Sequence, residues 1–332
     1  MMARHPEELG PSRATKDPQC PVTLLWRAPL KAQFSKAPLK AASSFLFLLF
    51  SLAAPAPAQD FWAHWGDGKA ELNGYALEQP RYGAVRAGTA VLVFVTEDFS
   101  DSLRVKADPG KHPASDVYPV LKLNAIRHFP TGIYDYSVMT SSFLRVLPGW
   151  PVAKVSFSSQ EWCGHVWHQV VPRDGKLGGL FHSYFDGEAD GTDDLAFPPD
   201  GVLEDALPVI LRGWNGAYLK PGESKAVPFL PSLLWSRFNH QPLAWTTARI
   251  ARAVAPRFVS VPAGRFEVIA YTVETADNRK LGFEIEAGVP YRLIRQTGPD
   301  GEELALRGSA RLPYWQLNAP GGEQHLKALG LR

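Results

Sequence analysis

The sequence predicts a mainly β protein whose antiparallel sheets form two β-rich halves, arranged as a sandwich or as an open, barrel-like structure. The 332 residues include 29 Pro and 28 Gly, a high share for a helical protein, and 11% of them are aromatic. With 45% hydrophobic and 20% charged residues, the chain has the composition of a folded globule and not of a disordered protein.

The N-terminal segment has the pattern of a secretory signal. An apolar run at residues 41–54 follows Lys31, Lys36 and Lys40, and the small-residue pattern Ala56-Pro57-Ala58 comes directly after it. The run is shorter than the roughly 20 apolar residues that a membrane-spanning helix needs. We therefore expect residues 1–58 to be a leader that is cleaved near its end, and the mature protein to be periplasmic or secreted.

Removal of this leader changes the charge of the protein. Residues 1–58 hold 7 of the 35 Lys and Arg and 3 of the 33 Asp and Glu, which leaves 28 basic and 30 acidic residues in the mature chain. Without a basic cluster the sequence predicts no binding of nucleic acid, and the mature chain contains no predicted transmembrane span. Cys20 is lost with the leader, so Cys163 has no partner for an intrachain disulfide.

Strands predicted in the first half are short and regularly spaced. Each run is rich in β-branched and aromatic residues and is bounded by Gly, Pro, Asp or Ser, which is typical of an antiparallel meander. The alternation slips near Ser141, where we expect a bulge or a bend. The runs lie at 89–96, 119–129, 133–146, 152–158 and 165–171.

One helix is predicted near residues 200–212. Apolar residues recur there at helical spacing, and Asp200 stands in the position of an N-cap. Pro208 lies inside the pattern and should kink or shorten the helix.

The second half returns to strands and ends in a short helix. A turn is predicted at 298–301, and the closing helix at about 321–330. The domain division follows as residues 59–214 and 215–332. The predicted strands lie at 225–237, 243–254, 257–261, 265–275, 280–287, 290–297 and 302–312.

Several segments carry a family resemblance. The sequence resembles a group of uncharacterised secreted bacterial proteins, which look like periplasmic β-rich proteins distantly related to lipoprotein-carrier folds. Relatives are sometimes labelled septum formation inhibitor Maf, a cytoplasmic nucleotide pyrophosphatase with an N-terminal Ser-x-Ser-Pro-x-Arg signature. This chain lacks that signature, so the sequence does not support the label. The segments are 81–83, 91–97, 158–164, 261–271, 289–294 and 308–312.

The densest cluster of reactive side chains is Glu161-Trp-Cys-Gly-His165-Val-Trp-His168. On a strand, Cys163 and His165 would share a face, and His168 would lie on the other, so a zinc site would need a bulge or a distant ligand such as His182. A Cys163 nucleophile with a histidine base is a second interpretation. The third, which we favour, is that Cys163 and the two tryptophans pack in a core.

Oxygen ligands in 186–194 have the spacing of a calcium loop. Asp186, Glu188, Asp190 and Asp194 occupy positions 1, 3, 5 and 9, with Gly at position 6 for the turn. Phe197 stands at position 12, where an EF-hand has a bidentate Glu, so the pattern excludes an EF-hand but leaves a looser calcium loop or a solvated acidic loop. The sequence thus predicts no cofactor, and calcium is the ion that this loop would fit.

Taken together, these patterns predict an exported envelope protein without enzymatic activity. Its role would be to bind or carry a lipid, a glycan or another envelope component. The alternative is a secreted metal- or Cys-dependent hydrolase centred on Cys163, His165 and His168.

Overall fold

A computed structural model of the chain describes residues 58–332, so the predicted leader and its cleavage pattern lie outside the described residues except for Ala58. The described part is mainly β, as predicted. The strands are β1 Ala70–Arg81, β2 Ala84–Ser100, β3 Val117–Thr131, β4 Tyr134–Arg145, β5 Val152–Glu161, β6 Gly164–Arg173, β7 Lys176–Ser183, β8 Asp190–Ala196, β9 Val202–Leu203, β10 Ser224–Leu230, β11 Thr246–Arg252, β12 Arg257–Val261, β13 Gly264–Thr275, β14 Lys280–Glu286, β15 Leu293–Thr297 and β16 Glu303–Leu312.

Helices are few and short. Three are α-helical, α1 Ala58–Trp65, α2 Leu207–Ile210 and α3 Leu233–Phe238. The 3₁₀ helices are Ala114–Asp116, Glu204–Ala206, Pro299–Gly301, Tyr314–Gln316 and Gly322–Leu329, the last of which is the predicted C-terminal helix. Within residues 58–332, none of these helices has the length and apolar character needed to cross a bilayer.

All sixteen strands belong to one hydrogen-bonded sheet. The order is β8-β7-β6-β5-β4-β3-β2-β1-β16-β15-β14-β13-β11-β10-β9, and β12 pairs with β13. Neighbours are antiparallel except β9 and β10. The pairing of β1 with β16 joins the two predicted halves, so one continuous sheet extends across residue 214.

The sheet curls around the helices. One core cluster takes side chains from β1–β7 and from β9–β16, together with residues of α1, α2 and α3. Strands so far apart in the sheet can share one core only if the sheet is strongly curved. We call the face that carries this core the inner face. Alternation places Leu121, Leu123, Ala125 and Arg127 of β3 on it.

The outer face carries a second, smaller core. Leu72, Val93 and Val95 pack there against Leu329 of the C-terminal 3₁₀ helix. Gly74 and Gly308, paired across β1 and β16, make this approach close, because a Cβ at either position would collide with the backbone of the last helical turn. The C-terminal segment thus covers the seam between the two halves.

Two local predictions need correction. The helix near 200–212 is shorter than predicted, because β9 and a 3₁₀ turn precede α2. Asp200 has a φ of 59° and caps no helix.

The run 225–237, predicted as a strand, changes from β10 to α3 after Pro231. Ser232 Oγ caps α3 by accepting the Trp235 N–H at 3.1 Å. The slip near Ser141 has a counterpart in a register shift between Phe143 and Leu144.

A buried ion pair fixes α1 and the segment after α2 to the sheet. Arg212 Nη2 donates to Glu71 Oε2 at 2.9 Å, and both side chains are almost fully buried. Burial alone would raise the pKa of Glu71, but the Arg212 charge and hydrogen bonds from His64, Arg212 and Asn73 lower it to about 2. Glu71 therefore stays ionised in the fold.

Candidate functional site

The expected packing of Cys163 is wrong. Trp162 and Cys163 form the two-residue turn between β5 and β6, where Cys163 is exposed and Trp162 is 72% exposed. A turn is the point at which a strand leaves the core, so neither side chain can pack inside it. The Cys163 N–H donates to Glu161 Oε2 at 2.7 Å.

The environment of Cys163 does not favour a thiolate. A hydrogen bond to Glu161 and the negative charge of that carboxylate raise the pKa of the Cys163 thiol. A nucleophilic cysteine needs the opposite, a nearby cation or base that lowers its pKa.

The two histidines lie on different faces of β6. His165 is exposed, whereas His168 is mostly buried and its Nε2 lies 2.6 Å from Asp193 Oδ2 on β8. His182, the distant ligand considered for zinc, pairs instead with Asp190 at 3.1 Å. The structure thus separates the three candidates of the Cys–His cluster.

Three of the four carboxylates of the predicted calcium loop contact separate partners. Glu188 contacts Arg237 and His240, Asp190 contacts His182, and Asp194 pairs with Lys176 at 3.0 Å. Asp186 lies in the turn between β7 and β8. Across residues 58–332, no group of three or more His, Cys, Asp and Glu is placed to hold a metal ion.

A pocket opens at one end of the sheet. In an antiparallel meander alternate turns lie at the same end, so the turns at 82–83, 132–133, 162–163 and 184–189 are neighbours there. We call this the pocket end. The cavity lies between the inner face and the two central helices, α2 and α3, and has a volume of about 470 Å³, within the range of small-molecule sites.

The floor of the pocket is made of two ion pairs. Arg279 Nη1 donates to Glu204 Oε2 at 3.0 Å, and Arg127 Nη1 donates to Glu302 Oε1 at 2.5 Å. Arg127 Nη1 also donates to Gln79 Oε1 at 2.7 Å. These residues come from β1, β3, the β15–β16 turn, the β13–β14 turn and the 3₁₀ turn before α2, so only the curled sheet brings them together.

Asp205 is a buried acidic group of the pocket without an arginine partner of its own. Its Oδ2 accepts the Leu233 N–H at 3.0 Å. Burial raises the pKa of Asp205 to about 7, and the neighbouring Glu204 carboxylate adds to this rise against the lowering effects of the Leu233 N–H and Arg127. Near neutral pH this carboxyl is divided between its protonated and ionised forms.

Apolar side chains form the walls. Leu92, Leu123, Leu281 and Leu304 line the cavity from the inner face, and Trp235 lines it from α3, with the Arg279 guanidinium carbon 4.4 Å from its ring centroid. The pocket therefore combines apolar walls with a few polar groups that can orient a ligand.

Aromatic residues and Arg81 surround the mouth. The Arg81 guanidinium stacks 4.3 Å from the Tyr82 ring centroid and 4.5 Å from that of Phe238. The Tyr82 and Tyr136 hydroxyls lie 2.7 Å apart, and Arg81 Nη1 donates to the Phe238 carbonyl at 2.9 Å. These contacts tie the β1–β2 turn to the end of α3.

The pocket is not among the features that the sequence predicts. One signal for it exists in β3, where the inward positions Leu121, Leu123 and Ala125 are followed by Arg127, a charge on an otherwise apolar face. The other floor residues lie far apart in sequence, so their convergence could not be seen without the strand order.

Comparison with known proteins does not assign the chain to a family. No protein-family model matches the sequence. The curated proteins and the solved structures give no match either.

Proposed function

We propose that the chain is an exported envelope protein that binds a small ligand in the pocket between the inner face and the two central helices. The ligand is a glycan or a lipid with a hydroxyl-rich head group. The observation that carries this proposal is the pocket floor, where two ion pairs and Asp205 line a preformed cavity. The secretion pattern of residues 41–58 supports the envelope location.

The charge balance of the floor points to an uncharged polar ligand. Each of the two floor arginines is offset by a carboxylate, so an anion would find no free positive charge to offset its loss of water. A cation would meet only Asp205, whose raised pKa leaves it partly protonated at neutral pH. Hydroxyl groups fit better, because they can accept hydrogen bonds from guanidinium groups and donate them to carboxylates. Trp235 and Phe238 offer apolar surface for the less polar part of such a ligand.

A hydrolase is the alternative, and the pocket favours it more than the Cys–His cluster does. Cys163, His165 and His168 share neither a cleft nor a base that would activate the thiol. Asp205 has a pKa near neutral inside a cavity, which suits a general acid or base. If the pocket is catalytic, Asp205→Asn would abolish turnover and leave binding intact.

Native mass spectrometry of the protein purified from its host tests the proposal. Ala125 lines the pocket, and Ala125→Phe should fill it. Ile126, the next residue on β3, packs on the outer face, so Ile126→Phe makes a matched control with the same aromatic ring.

We expect a retained non-covalent mass in the wild type and in Ile126→Phe, and its loss in Ala125→Phe. Circular dichroism should show that all three proteins are folded. The proposal would be contradicted by a wild-type protein without bound mass, or by an Ala125→Phe variant that retains as much bound mass as the wild type.

A further inference from the structure

At the pocket end, the turns 82–83, 132–133, 162–163 and 184–189 each expose a large apolar side chain. The exposed fractions are 60% for Tyr82, 85% for Ile133, 72% for Trp162 and 68% for Tyr184. These turns follow one another along the sheet, two strands apart, at intervals of about 10 Å. Exposed apolar residues scattered singly need no explanation, but a row at one end of a sheet indicates an interaction surface.

Aromatic contacts make this row continuous. The Tyr82 and Tyr136 hydroxyls share a hydrogen bond. The ring centroids of Tyr136 and Tyr134 are 6.0 Å apart. The Tyr134 and Trp162 centroids are 6.3 Å apart. The Tyr184 ring lies against Gly164, where it occupies the space that a Cβ would need. We call the side chains from Tyr82 to Tyr184 the aromatic rim.

The end of α3 holds the rim in place from the inside. Phe238 packs against Tyr136, with 5.8 Å between the ring centroids. Arg237 stacks 3.9 Å from the Phe185 ring centroid, and His240 Nδ1 lies 2.6 Å from Glu188 Oε1 in the β7–β8 turn. The rim is thus a surface formed before any partner binds.

The charge around the rim is acidic. Residues 81–84, 131–135, 161–164 and 184–189 contain one basic side chain, Arg81, and four acidic ones, Asp135, Glu161, Asp186 and Glu188, of which Glu188 is paired with Arg237 of α3. The Arg81 guanidinium is already stacked between aromatic rings. A second copy of this rim would bring like charges together, and an anionic surface would be repelled in the same way.

We infer that the aromatic rim binds the surface of a zwitterionic lipid bilayer and turns the pocket mouth towards it. Tyr and Trp combine an apolar ring with a polar tip, and they concentrate where hydrocarbon meets water. A single row of side chains on successive turns can enter the head-group region of a bilayer, whereas a protein partner would need a broad complementary face. The inference does not require that the pocket hold the proposed ligand.

Vesicle flotation with protein purified from its host tests the inference. Wild-type protein should float with phosphatidylcholine vesicles, and adding phosphatidylglycerol should weaken the association at low salt. The double substitution Trp162→Ser with Ile133→Ser should lower partitioning about tenfold or more, since two large apolar side chains are removed from the surface.

Leu103→Ser with Leu147→Ser is the matched control. Both leucines are exposed, at 65% and 48%, in connections at the opposite end of the sheet. This control should float as the wild type does, and the melting temperatures of all three proteins should agree within a few degrees.

The inference is overturned if the wild type does not float, or if both double variants float equally well or equally poorly. Concentration-dependent dimerisation of the wild type that the rim variant abolishes, without flotation, would assign the rim to a second copy instead. Binding that strengthens with phosphatidylglycerol would also contradict it.

Discussion

The Arg279 guanidinium and the Glu204 carboxylate meet at 3.0 Å on the pocket floor, where they join the β13–β14 turn to the segment that precedes α2. Both side chains are mostly buried. The pair connects an end of the sheet to the helices around which it curls, so the shape of the pocket depends on it.

Removal of one partner of this pair should destabilise the protein. Arg279→Met would leave the Glu204 carboxylate buried without its counter-charge, at a cost of about 3 kcal/mol in the free energy of unfolding. The double variant Arg279→Met with Glu204→Gln should recover part of this loss. Urea titrations measure both. Equal stability of the wild type and Arg279→Met would show that the pair does not support the fold.

Asp205 should make stability depend on pH. The pKa of Asp205 is raised in the folded state to about 7, so the folded chain holds this proton more tightly than the unfolded chain does. The free energy of unfolding therefore decreases as pH rises from about 4 to about 7, where the carboxyl must ionise inside the fold. Asp205→Asn keeps an acceptor for the Leu233 N–H and cannot ionise. At pH 8 we expect this variant to have a higher melting temperature than the wild type and a free energy of unfolding larger by up to about 4 kcal/mol. At pH 4 the two proteins should be about equally stable.

Asp194→Asn is the control for this measurement, because Asp194 is exposed on β8. Its melting temperature should stay close to that of the wild type at both pH values. A wild type that is more stable than Asp205→Asn at pH 8 would contradict the raised pKa.

Cys163 should react without unfolding, but as a slow thiol. Its exposure predicts that the native protein is labelled without unfolding. Its raised pKa predicts that native labelling is slower than labelling of denatured protein at neutral pH, and that the native rate keeps increasing above the usual thiol range. Glu161→Gln should shift the pH dependence of the labelling rate to lower pH, since it removes the negative charge that opposes ionisation of the thiol. A native rate that levels off below pH 8 would be evidence for an activated thiol.

Calcium should leave the melting temperature unchanged. The carboxylates of Glu188, Asp190 and Asp194 each lie beside a basic side chain, and a cation would have to displace those partners. Scanning calorimetry with millimolar calcium and with a chelator makes the comparison. A rise with calcium that Asp190→Ala abolishes would restore the calcium loop.

The strands could be predicted because their signals are local. Alternation and turn residues mark β3, β4 and β5 in the sequence, and the closing 3₁₀ helix falls where Gly321 and Gly330 bound it. The change from β10 to α3 was missed, since the apolar residues of 225–237 do not distinguish a buried strand from a short buried helix. Asp200 was mistaken for an N-cap because its left-handed φ cannot be read from the residue type alone.

The pocket was beyond sequence reasoning for a different reason. Gln79, Arg127 and Glu302 meet only because β1 pairs with both its sequence neighbour β2 and the last strand, β16. This closing contact spans most of the chain and has no local signature. The sequence instead predicts a candidate site at Cys163, His165 and His168, which are close together in the chain. In the fold, Cys163 lies in a turn, and the two histidines lie on opposite faces of β6.

The most direct test of the pocket as the ligand site is a crystal structure of the protein purified from its host. We predict density for a bound molecule in the cavity, with a polar group within hydrogen-bond distance of Asp205 or Arg127. A cavity that contains only water, or a bound molecule located elsewhere on the protein, would contradict this account.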